Sequence, residues 1–396
     1  MKFNTLFEAP IFNRSGYGVT ADLLAHSLTR YPHSNLALVP LSWGSCPTRI
    51  TEQPGDNELK RLIPPVSKQI SQPQLHIGCY MPNHLKPKGS IYNVMISAGV
   101  EVDRAPDTIM NGVNEWDLNI VCSNFTKQVY NNSNIKPKGP VEVLNWSANT
   151  DIFKLGAQSD SYVDELLARI PESEVFLFCG QMTNGDLALD RKDTYGLIKT
   201  FLQTFTGKPN KPALLLKTNG VNTSTFDRST TILKFQQIQD ELNIHDVHLY
   251  LLHGEMTETQ MAALYSHKKI IANVSFTHGE GAGLPLLEAS LCGLPIIVSN
   301  WSGLLDYVDD RATLLPVTVN QIEPALESEY FVKGSSWATV DYDQAKEILL
   351  KAHQDSAQPD YRAKALSLAQ DNAKRFSLAV FDRKFYGSLN SHLGIK

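Results

Sequence analysis

The stretch His278–Asn300, HGEGAGLPLLEASLCGLPIIVSN, decides how the chain is read. The run KIIANVSF before it is a buried strand, and THGEGAG is a glycine-rich loop entering a helix expected over Leu284 to Cys292. Pro285 suits a helix start, where its missing N–H costs nothing, and Gly293 suits a helix end before Pro295 and the next strand. Such a turn is an anion site, because unpaired amides and the positive helix end face the same ligand. Yet two carboxylates occupy that mouth: Glu280 in the loop and Glu288 in what the spacing predicts as the first helical turn. Helical side chains lean toward the N-terminus, so both converge there. A ligand suited to the amides of Gly281, Ala282, Gly283 and Leu284 and to both carboxylates carries phosphate and several hydroxyls. A nucleotide sugar has both. For one glutamate alone, an acidic residue favouring the positive helix end is the simpler account; the order strand, glycine loop, Glu, Pro, Glu favours a ligand.

Outward from this stretch, short apolar runs alternate with amphipathic segments, the mark of βαβ units and parallel sheets. Strands are expected at TLFEAPI, LALVPLS, QLHIGCY, IYNVMIS, LNIVCS and VEVLNW in the first half. In the second half they are expected at EVFLFCG, ALLLKTNG, VHLYLLHG, KIIANVSF, LPIIVSN and ATLLPV. A polar connection between the sets puts a boundary near residue 160. The expected fold class is α/β, with two Rossmann-like domains, residues 1–160 and 161–372, facing a central cleft. The tail reads as two helices, and residues 373–396 are expected to pack back on the first domain.

The 396 residues carry a formal charge of −5, so no global basic field recruits nucleic acid or anionic lipid. The five cysteines include no C-x-x-C pair, which favours free buried thiols in a reducing compartment. Neither a leader-like apolar segment nor a membrane-length apolar run is present, and a cytoplasmic protein is expected.

The segment SFTHGEGAGLPLLEASLCGLPIIVSNWSGLLDYV resembles the signature of the retaining glycosyltransferases of the large family-four group, which have the GT-B fold. The resemblance implies that Glu280 lies by the donor sugar and that Glu288 binds the nucleotide ribose. FLFCGQMTNGDLALDRKDTYGLIKTFLQTF resembles the strand, loop and helix that hold the donor diphosphate, and it places Lys192 at the family lysine. The family arginine after the strand's glycine is replaced by Gln181, so either Arg191 substitutes for it or the site is less cationic. Fixed cations there would stabilise charge developing on the leaving diphosphate.

APIFNRSGYGVTADLLAHSL resembles the glycine turn after the family's first strand, where Gly16 and Gly18 would let the backbone approach donor phosphate or acceptor. A simple tight turn is the alternative. SAGVEVDRAPDTIMNGVNEWDLNIVCSNF resembles a first-domain segment that would place Glu101, Asp103 and Arg104 on the acceptor side; a surface salt bridge would explain them equally well. Thr257 and Asp341 read as helix caps, Asp341-Tyr-Asp343 as a cap rather than a metal motif, and Trp337 as structural.

The resemblance implies transfer from a nucleotide diphosphate sugar, most commonly a UDP-sugar, to a hydroxyl acceptor of unknown class. It implies no metal and no cofactor beyond the co-substrate, and nucleic acid enters only as an acceptor. Rival readings are an epimerase or phosphorylase of the same architecture, a catalytically silent nucleotide-sugar-binding module, and a transferase acting on a modified DNA base. The loops WGSCPTR and MPNHLKPKG, which should choose the acceptor, hold no decodable motif.

Overall fold

The computed structural model describes residues 2–44, 46, 48–49, 53, 55–65, 73–182, 189–220 and 222–395. Part of WGSCPTR (residues 45 and 47) and part of the loop after FLFCG (residues 183–188) lie outside the described residues. The chain divides into two compact units: Met1–Ser147 with Gln321–Ser336 and Leu378–Lys396, and Ala148–Asn320 with Trp337–Ser377. The return of Gln321–Ser336 to the first unit is an excursion that the apolar pattern does not announce.

The first unit is built on strands β1 (Phe3–Ala9), β2 (Ser34–Pro40), β3 (Leu75–Cys79), β4 (Tyr92–Ser97), β5 (Leu118–Val121) and β6 (Val141–Val143). They form one sheet in the order β2-β1-β3-β4-β5-β6, every neighbour parallel. Strands such as LHIGC in β3 are buried at every position, as a sheet covered on both faces requires. The C-terminal helix Leu378–Leu393 belongs to this unit and buries Phe381, Phe385 and Leu389. Its polar edge is bonded as well: Tyr386 donates to Ser27 O at 2.6 Å, and Arg30 pairs with Asp382 at 2.7 Å.

The second unit repeats the plan with β7 (Val175–Cys179), β8 (Ala213–Lys217), β9 (Leu249–Leu252), β10 (Ile270–Ser275), β11 (Ile296–Ser299) and β12 (Thr313–Leu315). The order β12-β11-β10-β7-β8-β9 is again wholly parallel. Its core packs Phe176, Phe178, Phe201 and Phe205 with aliphatic side chains of the sheet and its helices. Each run expected as a strand contains one. A two-stranded ribbon, β13 (Val317–Gln321) with β14 (Ser336–Val340), was not foreseen.

These orders locate the sites. In an open parallel sheet, ligands bind beyond the carboxyl ends of the strands, where the winding reverses direction. That point lies between β1 and β3 in the first sheet and between β7 and β10 in the second.

Candidate active site

In the second unit, β10 ends at Ser275 and β7 at Cys179, so the THGEGAG loop and the segment carrying Arg191 and Lys192 both leave the switch point. The two segments are stitched together through their backbones. His278 N–H donates to Arg191 O at 2.9 Å, and the Arg191 guanidinium donates to Gly279 O at 2.7 Å. Lys192 Nζ then donates to Glu280 Oε1, and Arg191 lies 3.6 Å from Glu280 Oε2. Glu280 is 6% exposed. Burial alone would raise its pKa, but the charges of Lys192 and Arg191 outweigh burial and hold the carboxyl below its ordinary value. The three expected catalytic side chains therefore form one charged cluster around the buried Glu280 carboxylate.

The glycine turn sets the helix entry. Gly283 is the helix N-cap at φ 71°, and Tyr307 OH donates to its carbonyl at 2.9 Å. The helix spans Leu284–Leu291 with Cys292 as its C-cap. Among the described residues, no protein acceptor bonds the amides of Gly281, Ala282, Gly283 and Leu284, which is the normal state of N-terminal amides. One expectation needs correction: Glu288 is not in the first turn. The helix begins at Leu284 as expected, but a turn takes about 3.6 residues, so Glu288, the fifth residue of LPLLEASL, already lies in the second turn. There it is half-buried with Tyr265, whose OH donates to Glu288 Oε2 at 3.4 Å. Burial first, then the nearby Glu258 charge, pushes the Glu288 carboxyl up to about 8. The two glutamates of the motif thus sit in opposite electrostatic settings, one ionised by cations and one held neutral.

Behind this pair lies a support that the sequence reading did not assemble. Asp193, directly after Lys192, adopts a left-handed backbone at φ 47° and caps the helix Thr194–Phe205 through Gly196 N at 3.1 Å. Tyr342 OH donates to its other oxygen at 2.8 Å, and burial pushes the carboxyl up to about 7. His278 stacks on Trp337 with ring centroids 4.2 Å apart, and its Nδ1–H donates to Ala338 O at 2.6 Å. A carbonyl only accepts, so that bond fixes the tautomer. Burial lowers the pKa of this histidine, which is therefore neutral at neutral pH. Gln181, at the missing arginine's place, donates its amide to Gly220 O at 2.8 Å.

The first-unit candidates fall out differently. Gly16 opens the helix Gly16–Arg30 and is exposed, whereas Gly18 spends its amide on the Ser15 cap at 3.0 Å. A side chain at Gly18 would lie 2.1 Å from Asn13 O, so close packing is sufficient reason for this glycine. Asp103 accepts from Ser336 N–H at 2.7 Å, and Arg104 donates to Gly334 O, so both hold the Gln321–Ser336 excursion to their own unit. Thr257 forms the full capping box with Gln260, and Asp341 accepts from Asp343 N–H and Gln344 N–H at 3.1 Å. The five cysteines are free thiols. No helix among the described residues is long and apolar enough to cross a membrane.

With the geometry in place, comparison with known proteins is direct. The family model of glycosyl transferases group 1 matches residues 233–330, which contain the glycine turn and both glutamates. No curated protein matches the chain in sequence. Anabaena HepE, solved with UDP and glucose, superposes with a TM-score of 0.63 over 98% of this chain and 100% of that one, at 13% identity. Sucrose-phosphate synthase of Thermosynechococcus elongatus gives 0.66 over 98% and 99%, also at 13% identity. A glycosyltransferase of Rickettsia africae gives 0.65 over 99% of each chain at 11% identity. By its two switch-point sheets and its group 1 domain over residues 233–330, the chain is a glycosyltransferase of the GT-B fold.

Proposed function

We propose that the protein transfers a sugar from a UDP-sugar to a hydroxyl acceptor, with retention of configuration and without a metal ion. The cluster of buried Glu280 with the partly exposed Lys192 and Arg191, beside the glycine turn, supports this most directly. Lys192 and Arg191 supply fixed positive charge for a diphosphate, and the amides of Gly281 to Leu284 add donors at the helix start. Glu280 accepts from hydroxyls of the donor sugar, and Glu288 reads the ribose diol. The acceptor oxygen bonds to the anomeric carbon on the face from which the diphosphate leaves. The anomeric carbon–oxygen bond breaks, and the departing phosphate oxygen takes the acceptor's proton. The protein contributes position and electrostatics rather than a nucleophile. Two cations at the cluster take the charge-neutralising part that a metal plays elsewhere.

UDP is favoured among nucleotides because HepE, with the same fold, was solved with UDP and with UDP-glucose. On the acceptor side, Asp103 and Arg104 act as struts of the Gln321–Ser336 excursion, and Glu101 is read as an acceptor contact in the same loop. A cytoplasmic location belongs to the same reading, as does a DNA base as a rarer acceptor.

Calorimetry with UDP, GDP, ADP and their common sugars, in EDTA, on wild type and Glu288→Ala tests the donor half. One nucleotide should bind, at least tenfold more weakly in the variant. Absence of binding by all three would overturn the donor reading and leave a silent module. Binding that appears only when magnesium replaces EDTA would overturn metal independence. Product anomeric configuration by NMR, once an acceptor is found, decides retention against inversion.

A further inference from the structure

The two loops expected to choose the acceptor come together in the first unit, and they do so through aromatic rings. Trp43, in the loop after β2, stacks on Tyr17 with centroids 4.0 Å apart and planes at 24°. Tyr80, directly after β3, meets Trp43 edge-on at 4.9 Å and 75°. Trp146, after β6, meets Tyr17 edge-on at 5.4 Å and 77°. All four rings therefore stand beyond the carboxyl ends of the sheet, three of them on the segments that follow β1, β2 and β3, where the winding reverses. We propose that Trp43 and Tyr80, backed by Tyr17 and Trp146, form a stacking platform for the pyranose ring of a carbohydrate acceptor. This rests on the transferase reading above and gives its acceptor a chemical class.

Burial separates the platform from ordinary core. Tyr17 and Trp146 are buried, at 7% and 5% exposure, whereas Trp43 and Tyr80 keep part of their surface in solvent. The rings are also held in place without a ligand. Tyr17 OH lies 3.0 Å from Ser97 Oγ and accepts from Ala98 N–H at 2.8 Å. Tyr80 OH donates to Ser42 O at 2.8 Å, which ties the third strand's loop to the residue before Trp43. Cys46 N–H donates to Trp43 O at 2.9 Å, and Asn13 Nδ2 donates to Cys46 O at 2.9 Å. Rings fixed in advance lose little freedom on binding, which is what a stacking contact needs to be worth anything.

The chemistry favours a sugar. A pyranose offers one face of C–H groups to an aromatic surface and a rim of hydroxyls to the surrounding loops, matching a platform of amphipathic rings. A nucleobase also stacks on aromatic rings, and it is the competing occupant.

The test is a fluorescence titration of the full chain with methyl glycosides of glucose, galactose, mannose and N-acetylglucosamine. A thymidine pentanucleotide serves as the base-stacking probe. Wild type, Trp43→Ala, Trp43→Phe and Tyr80→Ala are compared, with thermal melts and UDP calorimetry on each as controls for folding and for the second unit. Wild type should saturate with at least one glycoside. Trp43→Ala should weaken it at least tenfold, Tyr80→Ala about threefold or more, and Trp43→Phe less than threefold. UDP affinity should be the same in all. Glycoside binding indifferent to both alanine variants, or UDP binding with no glycoside binding, overturns the platform while leaving the donor reading intact. Saturation by the pentanucleotide alone assigns the rings to a base and also overturns it. Glycoside binding that depends on Trp43 in a protein that binds no nucleotide sustains the platform and sinks the transferase reading instead.

Discussion

The two sheets have the same size and parallel plan, yet their switch points carry opposite chemistry. Beyond β7 and β10 stand Glu280, Lys192, Arg191 and an opened row of amides. Beyond β1 and β3 stand Tyr17, Trp43 and Tyr80 with neutral hydroxyl and backbone partners. On the proposed reading, the difference follows from what each side would hold. A diphosphate that leaves with growing negative charge needs preorganised cations, which are strong only where water is excluded. An acceptor hydroxyl carries no charge to neutralise, so placement of its ring matters more than field. On that reading the transfer reaction divides into an electrostatic half and a stacking half.

The largest effect should come from removing charge in the second unit. Lys192→Ala deletes the cation bonded to Glu280 and should lower kcat by roughly 10²–10³-fold, the range for loss of one preorganised stabilising donor. Glu280→Gln should lower kcat as well. Because the two side chains form one pair, the double variant should lose less than the product of the single losses. Steady-state kinetics on the four proteins checks this. An unchanged kcat in Lys192→Ala would show that the charged half is structural and would erase the contrast between the sheets.

Helix entries at the two switch points offer a second comparison. At Gly18 the backbone conformation is ordinary and the constraint is space, with Asn13 O 2.1 Å from where a side chain would begin. At Gly283 the constraint is the left-handed φ of 71°, and the nearest atom, Tyr307 Oη at 2.9 Å, ends a side chain. Gly18→Ala should therefore cost about 3 kcal/mol, because a backbone carbonyl cannot easily give way. Gly283→Ala should cost about 1–2 kcal/mol of conformational strain. Denaturant unfolding would measure both, and the reverse order would mean that the Asn13 turn yields more easily than its bonds suggest.

How much of this was legible beforehand depends on sequence distance. The strands of both sheets could be read because a sheet covered on both faces demands continuous apolar runs, as in IIANVS and VFLFC. The ribbon could not, since VTVNQ is mostly exposed and lacks that pattern. The Glu280 loop was legible as a local motif, and Lys192 followed only from the family resemblance of its segment. Glu288 was misplaced although the helix start at Leu284 was read correctly, because the fifth residue of a helix lies beyond its first turn of about 3.6 residues. Asp103, whose partner Ser336 is 233 residues away, and the meeting of Trp43 with Tyr80 are tertiary facts without local signature.

A third effect, of intermediate size, concerns the neutral glutamate of the charged half. The Glu288 carboxyl titrates at about 8 in the folded chain against an ordinary value of 4.5, so the folded state holds that proton more tightly than the unfolded state does. Its contribution to stability is full below about pH 4.5 and is lost as pH rises toward about 8. Glu288→Gln, which stays neutral, should flatten that part of the melting-temperature profile. A profile as steep as wild type's would assign the slope to other groups and place the Glu288 charge in solvent.

The smallest expected effect tests the aromatic half at one of its two buried rings. Tyr17→Phe keeps the stack on Trp43 and the edge contact with Trp146, but removes the hydroxyl that accepts from Ala98 N–H and meets Ser97 Oγ. An amide that loses its acceptor costs about 1–2 kcal/mol, so the melting temperature should fall by a few degrees. Because burial keeps the Tyr17 hydroxyl protonated far above its usual pKa, the loss should be the same at pH 6 and pH 9. UDP binding should not change, since this ring lies in the unit that lacks the charged cluster. If the substitution instead weakened UDP binding with no change in melting temperature, Tyr17 would serve the donor, and the division between a charged half and an aromatic half would have to be abandoned.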